Sequence, residues 1–402
     1  MSKDLKNYKR VGDSYYENIQ KPFLSPSGNL IHEEHLTPRL KQTIIDDHGK
    51  TAPAHVERYK DFVNIADHLN YQPVVSNCLN LYHELNHQPE EGKFKHIEML
   101  LKHIFQDKYE MILDYITILY RYPLQKLPVV CLVSKTQKTG KSTFVFLMKL
   151  IFQNNMIGIS NKGFSEDFND HWITKLVVAC EETMFDKKDA YEKLKDLTTN
   201  PYINRKEKNK SAVAISNMLH FIFCSNHEDD FVKIDKNDSR LWITKVTGRP
   251  KKIDDFEDKL ESEVNSFVYF LMNREITHQK ISRLWFDEEL FRTDAFYNVV
   301  KNSEPSIIKD IREQLTELFL VTGVEEIKMS VKDIKNEFSI RQEINYVNKM
   351  VNEYLKPTIE LDKKGNRKVS TYTYVIPDPS EPKNILEKKG KGRYFVFKKE
   401  DY

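Results

Sequence analysis

The residues best suited to chemistry in this 402-residue chain are a Gly-Lys-Ser-Thr run at positions 140–143. The run lies between two apolar stretches, PVVCLVS ending at Ser134 and FVFLMKLIF ending at Phe152. A buried strand that leads through a turn into a helix points backbone N–H groups at one spot, and such a spot holds phosphate. In that layout Gly140 admits close backbone approach and Lys141 reaches the β- and γ-phosphates. The Ser142 hydroxyl joins a Mg²⁺ shell, with Thr139 and Thr143 flanking the anion. The full phosphate-loop pattern, G-x-x-x-x-G-K-[ST], would also place glycine at position 135, where this chain has Lys135.

Breaking a phosphoanhydride bond calls for one carboxylate at the metal and another at the attacking water, both on the tip of a strand beside the phosphate-loop strand. The apolar run Leu176–Cys180 ends in Glu181 and Glu182. Glu181 is expected in the Mg²⁺ shell and Glu182 as the base that orients water. A further run, Phe221–Cys224, ends in Ser225 and Asn226, and Asn226 can hold the lytic water or sense the γ-phosphate. Arg240, in NDSRLW, is a candidate finger for the nucleotide of a neighbouring subunit. An arginine supplied in trans speeds phosphoryl transfer by on the order of 10³ to 10⁵. The plainer reading pairs Arg240 with Asp235 or Asp238.

These groups need an α/β sheet to position them. Apolar strands at 128–134, 176–180, 219–224 and 241–246, separated by helical stretches, supply one over residues 126–250. Helical periodicity from Phe94 to Tyr122 predicts a helical layer over 96–125, and the pattern Phe256, Leu260, Val264, Phe267, Leu271 predicts a helical lid over 251–300. Residues 1–95, polar and broken by Pro22, Pro38, Pro53, Pro73 and Pro89, read as irregular. Toward the end, helical segments near 306–321, 330–338 and 342–356 precede a basic turn at Lys363, Lys364, Gly365 and Asn366. An alternating strand at 368–376, a Pro-rich link and a second basic turn, KKGKGR, follow. Helices followed by basic hairpins predict a winged-helix DNA-binding domain over 301–402.

The order of these parts resembles the superfamily III helicases of phages, plasmids and DNA viruses, and in particular the motor half of phage and mobile-element primase-helicase proteins. The resemblance rests on SKTQKTGKSTF, VVACEET, LKDLTTNPYINRKEKNK, FIFCSN and DSRLW, between residues 96 and 250. It implies an AAA+-like P-loop motor that uses ATP and Mg²⁺. It also implies a ring, most often a hexamer, translocating 3′ to 5′ on single-stranded DNA. It places a DNA-gripping hairpin between the acidic tip and Asn226, with Lys195 opening the segment and Arg205, Lys206, Lys208 and Lys210 crowding the hairpin tip. Phosphate contacts from such a cluster are salt-sensitive and blind to sequence, although a basic run can also be a solvated turn. Two departures stand out: Lys135 in place of glycine, and Ser239 where many relatives carry the first of two arginines.

Composition narrows the remaining choices. With 62 basic and 60 acidic side chains the net charge is +2, so only local clusters can select a nucleic acid. Four cysteines make no disulfide framework, and Cys131, Cys180 and Cys224 read as buried, reduced side chains. No apolar run reaches membrane-spanning length and the start is polar, which predicts a cytoplasmic protein in the host cytosol or nucleoid. The N-terminal region shows no acidic triad suited to nucleotide polymerisation, so a separate primase or polymerase is expected as partner. Two rival readings remain. One is an origin-binding initiator whose C-terminal domain grips duplex DNA through its helices and the basic turns with Lys363, Lys364, Arg367, Lys368, Lys388, Lys389, Lys391 and Arg393. The other is a zinc protease through His83, Glu84 and His87 of HELNH, which would need a helix that Pro89 and Gly92 oppose.

Overall fold

The computed structural model describes residues 3–24, 30–185, 188–206, 212–250, 253–361, 365–378, 380 and 384–402. The chain divides into two units, Met1–Asn302 and Ser303–Tyr402.

The first unit begins with strands β1 (Tyr8–Val11), β2 (Ser14–Leu24), β3 (Leu30–Arg39) and β4 (Glu57–Tyr59), in the order β3-β2-β1-β4. Helices α1 (Lys41–His48) and α2 (Ala52–His55) close a small core around Tyr8, Tyr15 and Ile44. The region expected to be irregular is therefore largely sheet up to residue 59. Its prolines misled because β3 is an edge strand, and β2 beyond Glu17 has no second partner among the described residues, so neither Pro38 nor Pro22 removes a ladder bond from a strand paired on both sides. Short strands β5 (Phe62–Val63), β6 (Val74–Val75) and β7 (Cys78–Asn80) form a second small sheet, after which the chain has no regular secondary structure up to residue 94.

Helices α3 (Lys95–Phe105) and α4 (Tyr109–Arg121) lead into β8 (Val129–Val133) and α5 (Lys141–Phe152). There follow β9 (Met156–Ile159), α6 (Asn161–Ser165), β10 (Val177–Cys180), α7 (Lys188–Thr199), the hairpin β11 (Tyr202–Arg205) and β12 (Val213–Ser216), β13 (His220–Ser225) and β14 (Leu241–Lys245). The central sheet is wholly parallel in the order β14-β8-β13-β10-β9. Both faces are covered. Val130 and Leu132 join one core with α3, α4 and α5, while Val129, Cys131 and Val133 join the other with Trp172, Phe221 and Phe223. This two-sided burial is why the strands are continuous apolar runs.

Helix α8 (Phe256–Asn273) buries Leu260, Phe267, Val268 and Leu271 against α3, α4 and α5, so the segment expected as a lid is part of the main core. Its C-terminal end is tied to α4 by the fully buried Asp114. That carboxylate accepts from Arg274 Nε at 3.0 Å, the Thr277 hydroxyl at 2.6 Å and the His278 backbone at 2.9 Å. Helices α9 (Glu288–Phe291) and α10 (Asp294–Ser303) complete the unit. Among the described residues no helix is long and apolar enough to cross a membrane.

The second unit runs α11 (Ser306–Thr322), β15 (Glu326–Met329), α12 (Val331–Glu337), α13 (Ile344–Met350), β16 (Ser370–Pro377), β17 (Ile385–Gly392) and β18 (Phe395–Lys398). β15 pairs with β18 and β16 with β17, around a core that includes Ile311, Leu315, Val347 and Phe397. The expected second basic turn, KKGKGR, is instead mostly strand β17, and part of the Pro-rich link lies outside the described residues. Gly390 lies under the Tyr372 ring, where a Cβ would sit 2.4 Å from the ring carbon Cζ, and Lys388 reaches Glu337 on α12 at 2.8 Å. Lys363 and Lys364 lie outside the described residues.

Candidate functional site

The sheet order decides where the singled-out residues meet. Lys141 follows β8 and Glu181 follows β10, but β13 lies between these strands, so the acidic tip is not on the strand next to the loop as expected. Two strand spacings are about 9.6 Å, and the side chains of Ser142 and Glu181 span them. The strip between them is floored by the tip of β13. There, a cavity of about 450 Å³ is lined by residues 137–143, Glu181, Glu182, Cys224 and Asn226. Ligands settle at the carboxyl ends of parallel strands where the order reverses, and this crevice is such a place.

The loop is built to face inward. Gly140 takes φ +99° as the N-cap of α5, a conformation that favours glycine, and it aims the first turn of the helix at the cavity. Lys141 is buried and its ammonium lies 3.2 Å from Asn226 Oδ1 and 3.5 Å from the Ser134 carbonyl. Burial pushes its pKa down, and the nearby Glu181 and Glu228 partly offset that push. Ser142 Oγ donates to Glu181 Oε2 at 2.8 Å, which joins the two groups expected to share a metal. Thr139 is buried, its hydroxyl has no partner among the described residues, and its carbonyl accepts from His103 Nε2 on α3 at 3.0 Å. Thr143 lines the same cavity.

Glu182 is exposed at the cavity edge with φ +53°, a left-handed conformation rare for a residue with a Cβ. The buried Thr183 holds it there. Its N–H donates to the Cys224 carbonyl at 2.8 Å, its hydroxyl to the Cys180 carbonyl at 2.8 Å, and its own carbonyl accepts from Ser225 Oγ at 2.7 Å. Backbone strain of this kind persists where the surroundings over-determine it.

Other expected residues lie elsewhere. Arg240 precedes β14, and its carbonyl accepts from Val129 N at 2.8 Å at the start of β8, the end opposite the loop. Five strand residues separate the two ends, about 16 Å, so Arg240 does not reach the cavity of its own chain. It pairs with Asp238 at 3.4 Å, and Tyr191 OH donates to the same carboxylate at 2.6 Å. Lys195, expected to open the hairpin segment, sits on α7 ahead of the hairpin, paired with Glu192 at 2.9 Å. Arg205 ends β11 and Lys206 follows it, exposed, with its backbone N–H on Asn169 Oδ1 at 2.8 Å. Lys208 and Lys210 lie outside the described residues.

The HELNH stretch has no regular secondary structure and is not helical. His83 is held through its backbone by Asn155 at 2.9 Å, and His87 Nε2 meets the Ile151 carbonyl at 2.7 Å. Among the described residues no group of three or more His, Cys, Asp and Glu could hold a metal ion. Cys131, Cys180 and Cys224 are buried and free. His103, Thr183 and Glu228 support the site from positions the sequence left unmarked. A histidine on a helix and an acid in a turn carry no local sign of a contact made over 36 or 93 residues.

Residues 132–240 match the model of a family of unknown function, DUF5906. No curated protein matches the chain. The chain shares the fold of the NrS-1 C-terminal region. The apo structure of that region, residues 305–718, superposes with a TM-score of 0.63 at 15% identity, covering 90% of this chain and 94% of the other. A second structure, the A form of the apo region, gives a TM-score of 0.59 at 17% identity, covering 87% and 95%. Another A-form structure gives 0.59 at 17% identity, covering 96% and 95%.

Proposed function

We propose that the chain is an ATP-dependent replicative DNA helicase of a phage or another mobile element, working as a ring on single-stranded DNA in its host's cytosol. The observation that carries this reading is the meeting of Lys141, Ser142, Glu181, Glu182 and Asn226 around one cavity at the strand tips. The fit to a nucleoside triphosphate is chemical. A helix N-terminus and a buried ammonium face the cavity, and a hydroxyl–carboxylate pair stands beside them, suited to Mg²⁺. Bound Mg²⁺ would neutralise charge on the phosphates. Lys141 would bind the β- and γ-oxygens, Ser142 and Glu181 would hold the metal, Glu182 would take the proton of the attacking water, and Asn226 would orient that water.

The parallel order β14-β8-β13-β10-β9, with the acidic tip two strands from the loop, supports the AAA+-like P-loop assignment. Arg240 sits at the far edge of the sheet from its own cavity, which supports an arginine offered to a neighbouring copy, and hence the ring, with a hexamer the expected size. The β11–β12 hairpin, with Arg205 and Lys206 at its end, is the candidate DNA grip. The helix–strand–helix–helix–hairpin order of the second unit supports a winged-helix module that touches origin duplex. If hydrolysis proves absent, that module favours the initiator reading, because α13 exposes Asn345, Tyr346 and Lys349.

Charge reversal at Lys206 and Lys208 tests the DNA grip. The expected outcome is loss of most stimulation by single-stranded DNA with basal ATP turnover within about twofold, since phosphate contacts are electrostatic. Equal loss of basal and stimulated turnover would count against a DNA role for the hairpin.

A further inference from the structure

Lys135 stands where the phosphate-loop pattern has glycine, and its φ is not in the left-handed region, so no glycine is needed there. Its backbone N–H donates to Glu228 Oε1 at 2.8 Å. Its ammonium lies 3.2 Å from Asp229 Oδ2 and 3.9 Å from Glu228 Oε2. The second Glu228 oxygen also meets Lys245, the last residue of β14, at 2.8 Å. Glu228 is only 6% exposed. One buried carboxylate thus joins the start of the loop, the end of β14 and the segment that follows β13.

The position of that carboxylate matters because Lys141 has two acceptors, the Ser134 carbonyl and Asn226 Oδ1. Ser134 is next to Lys135, and Asn226 is two residues before Glu228. The Lys135–Glu228 bond therefore fixes the spacing of the two groups between which Lys141 is held. Ser134 itself is braced across the turn, its hydroxyl donating to the Thr136 carbonyl at 3.0 Å and accepting from Thr136 N at 3.2 Å.

We propose that Glu228 is a positioning residue for the nucleotide loop, setting the loop and the tip of β13 in mutual register through the Lys135 amide. The role rests on reading the cavity as a triphosphate site. Glu228 does not touch the ligand; it acts through Lys135, Ser134 and Asn226.

Two conservative variants of the full chain separate this role from general stabilisation. Glu228→Gln keeps an acceptor of the same reach and loses the charge. Glu228→Asp keeps the charge and is shorter by one carbon–carbon bond, about 1.5 Å, so it cannot hold both Lys245 and the Lys135 amide. Binding of a fluorescent ATP analogue with Mg²⁺ is expected to weaken about tenfold in Glu228→Asp, the size of one lost hydrogen bond to a charged group, and to stay within about twofold in Glu228→Gln. Wild-type affinity in Glu228→Asp, or equal loss in both variants, would overturn the proposal. Amide exchange across residues 134–140 without nucleotide tests the clamp by itself. It should quicken in Glu228→Asp and not in Glu228→Gln, and unchanged exchange in Glu228→Asp would overturn the clamp. Wild-type protein that binds no analogue through Lys141 would instead remove the triphosphate reading, and the exchange result would still decide the clamp.

Discussion

At Glu182 the backbone adopts a left-handed conformation that costs on the order of 1 kcal/mol for a residue with a Cβ, and three hydrogen bonds through Thr183 hold it there. The result is a carboxylate at the rim of the cavity, while its neighbour Glu181 is engaged by Ser142. This division of labour leads to a sharp expectation for Glu182→Gln: turnover falls by about 10² to 10⁴ while nucleotide affinity stays within about twofold, the usual cost of removing a general base. Single-turnover hydrolysis alongside equilibrium binding checks it, and a wild-type rate would move the base elsewhere. Lys141, Ser142, Glu181, Glu182 and Asn226 were legible in the sequence because each follows an apolar run that could only be a buried strand. Glu228 and Thr183 were not, because what they do depends on which strand ends lie side by side, and sheet order leaves no local mark. Lys135 looked like a defect by its residue type; its backbone shows a turn that does not need glycine.

Among elements, the α4–α8 junction depends on Asp114. Burial works to raise its pKa, but hydrogen bonds from Thr277 and His278 and the charge of Arg274 outweigh burial and hold it below the ordinary 3.8. A carboxylate lowered in this way contributes its full stability above pH 3.8, and that contribution is lost as pH falls through the depressed folded value. Asp114→Asn is therefore expected to cost about 3 kcal/mol at neutral pH, as for a buried pair robbed of one charge, and to flatten the loss of stability on acidification. Urea unfolding between pH 6 and 3 measures both, and an unchanged acid limb would remove Asp114 from the account. The helices and apolar strands were readable from periodicity. β9, with glycine in four residues, was too short to show, and the N-terminal sheet was hidden by prolines that edge strands tolerate. Strand β17 reads as a turn in the sequence because glycine and lysine alternate in it. The glycine leaves room for Tyr372, and the lysine alternation is a two-residue strand period.

At the scale of the whole molecule, the sheet separates the cavity from Arg240 by its full depth, so an arginine finger at Arg240, as proposed, would have to serve a second copy. Mixing Arg240→Ala with Lys141→Ala subunits is expected to recover part of the turnover that each lacks alone, because the intact arginine of one can serve the intact loop of the other. No recovery at any ratio would leave Arg240 as the structural partner of Asp238. The measurement that bears most directly on the central proposal is steady-state ATP hydrolysis by the purified protein with and without single-stranded DNA, with Lys141→Ala as the control. Turnover that rises with DNA and disappears in Lys141→Ala is the expected result. Lack of Lys141-dependent turnover under both conditions would contradict a DNA-driven motor.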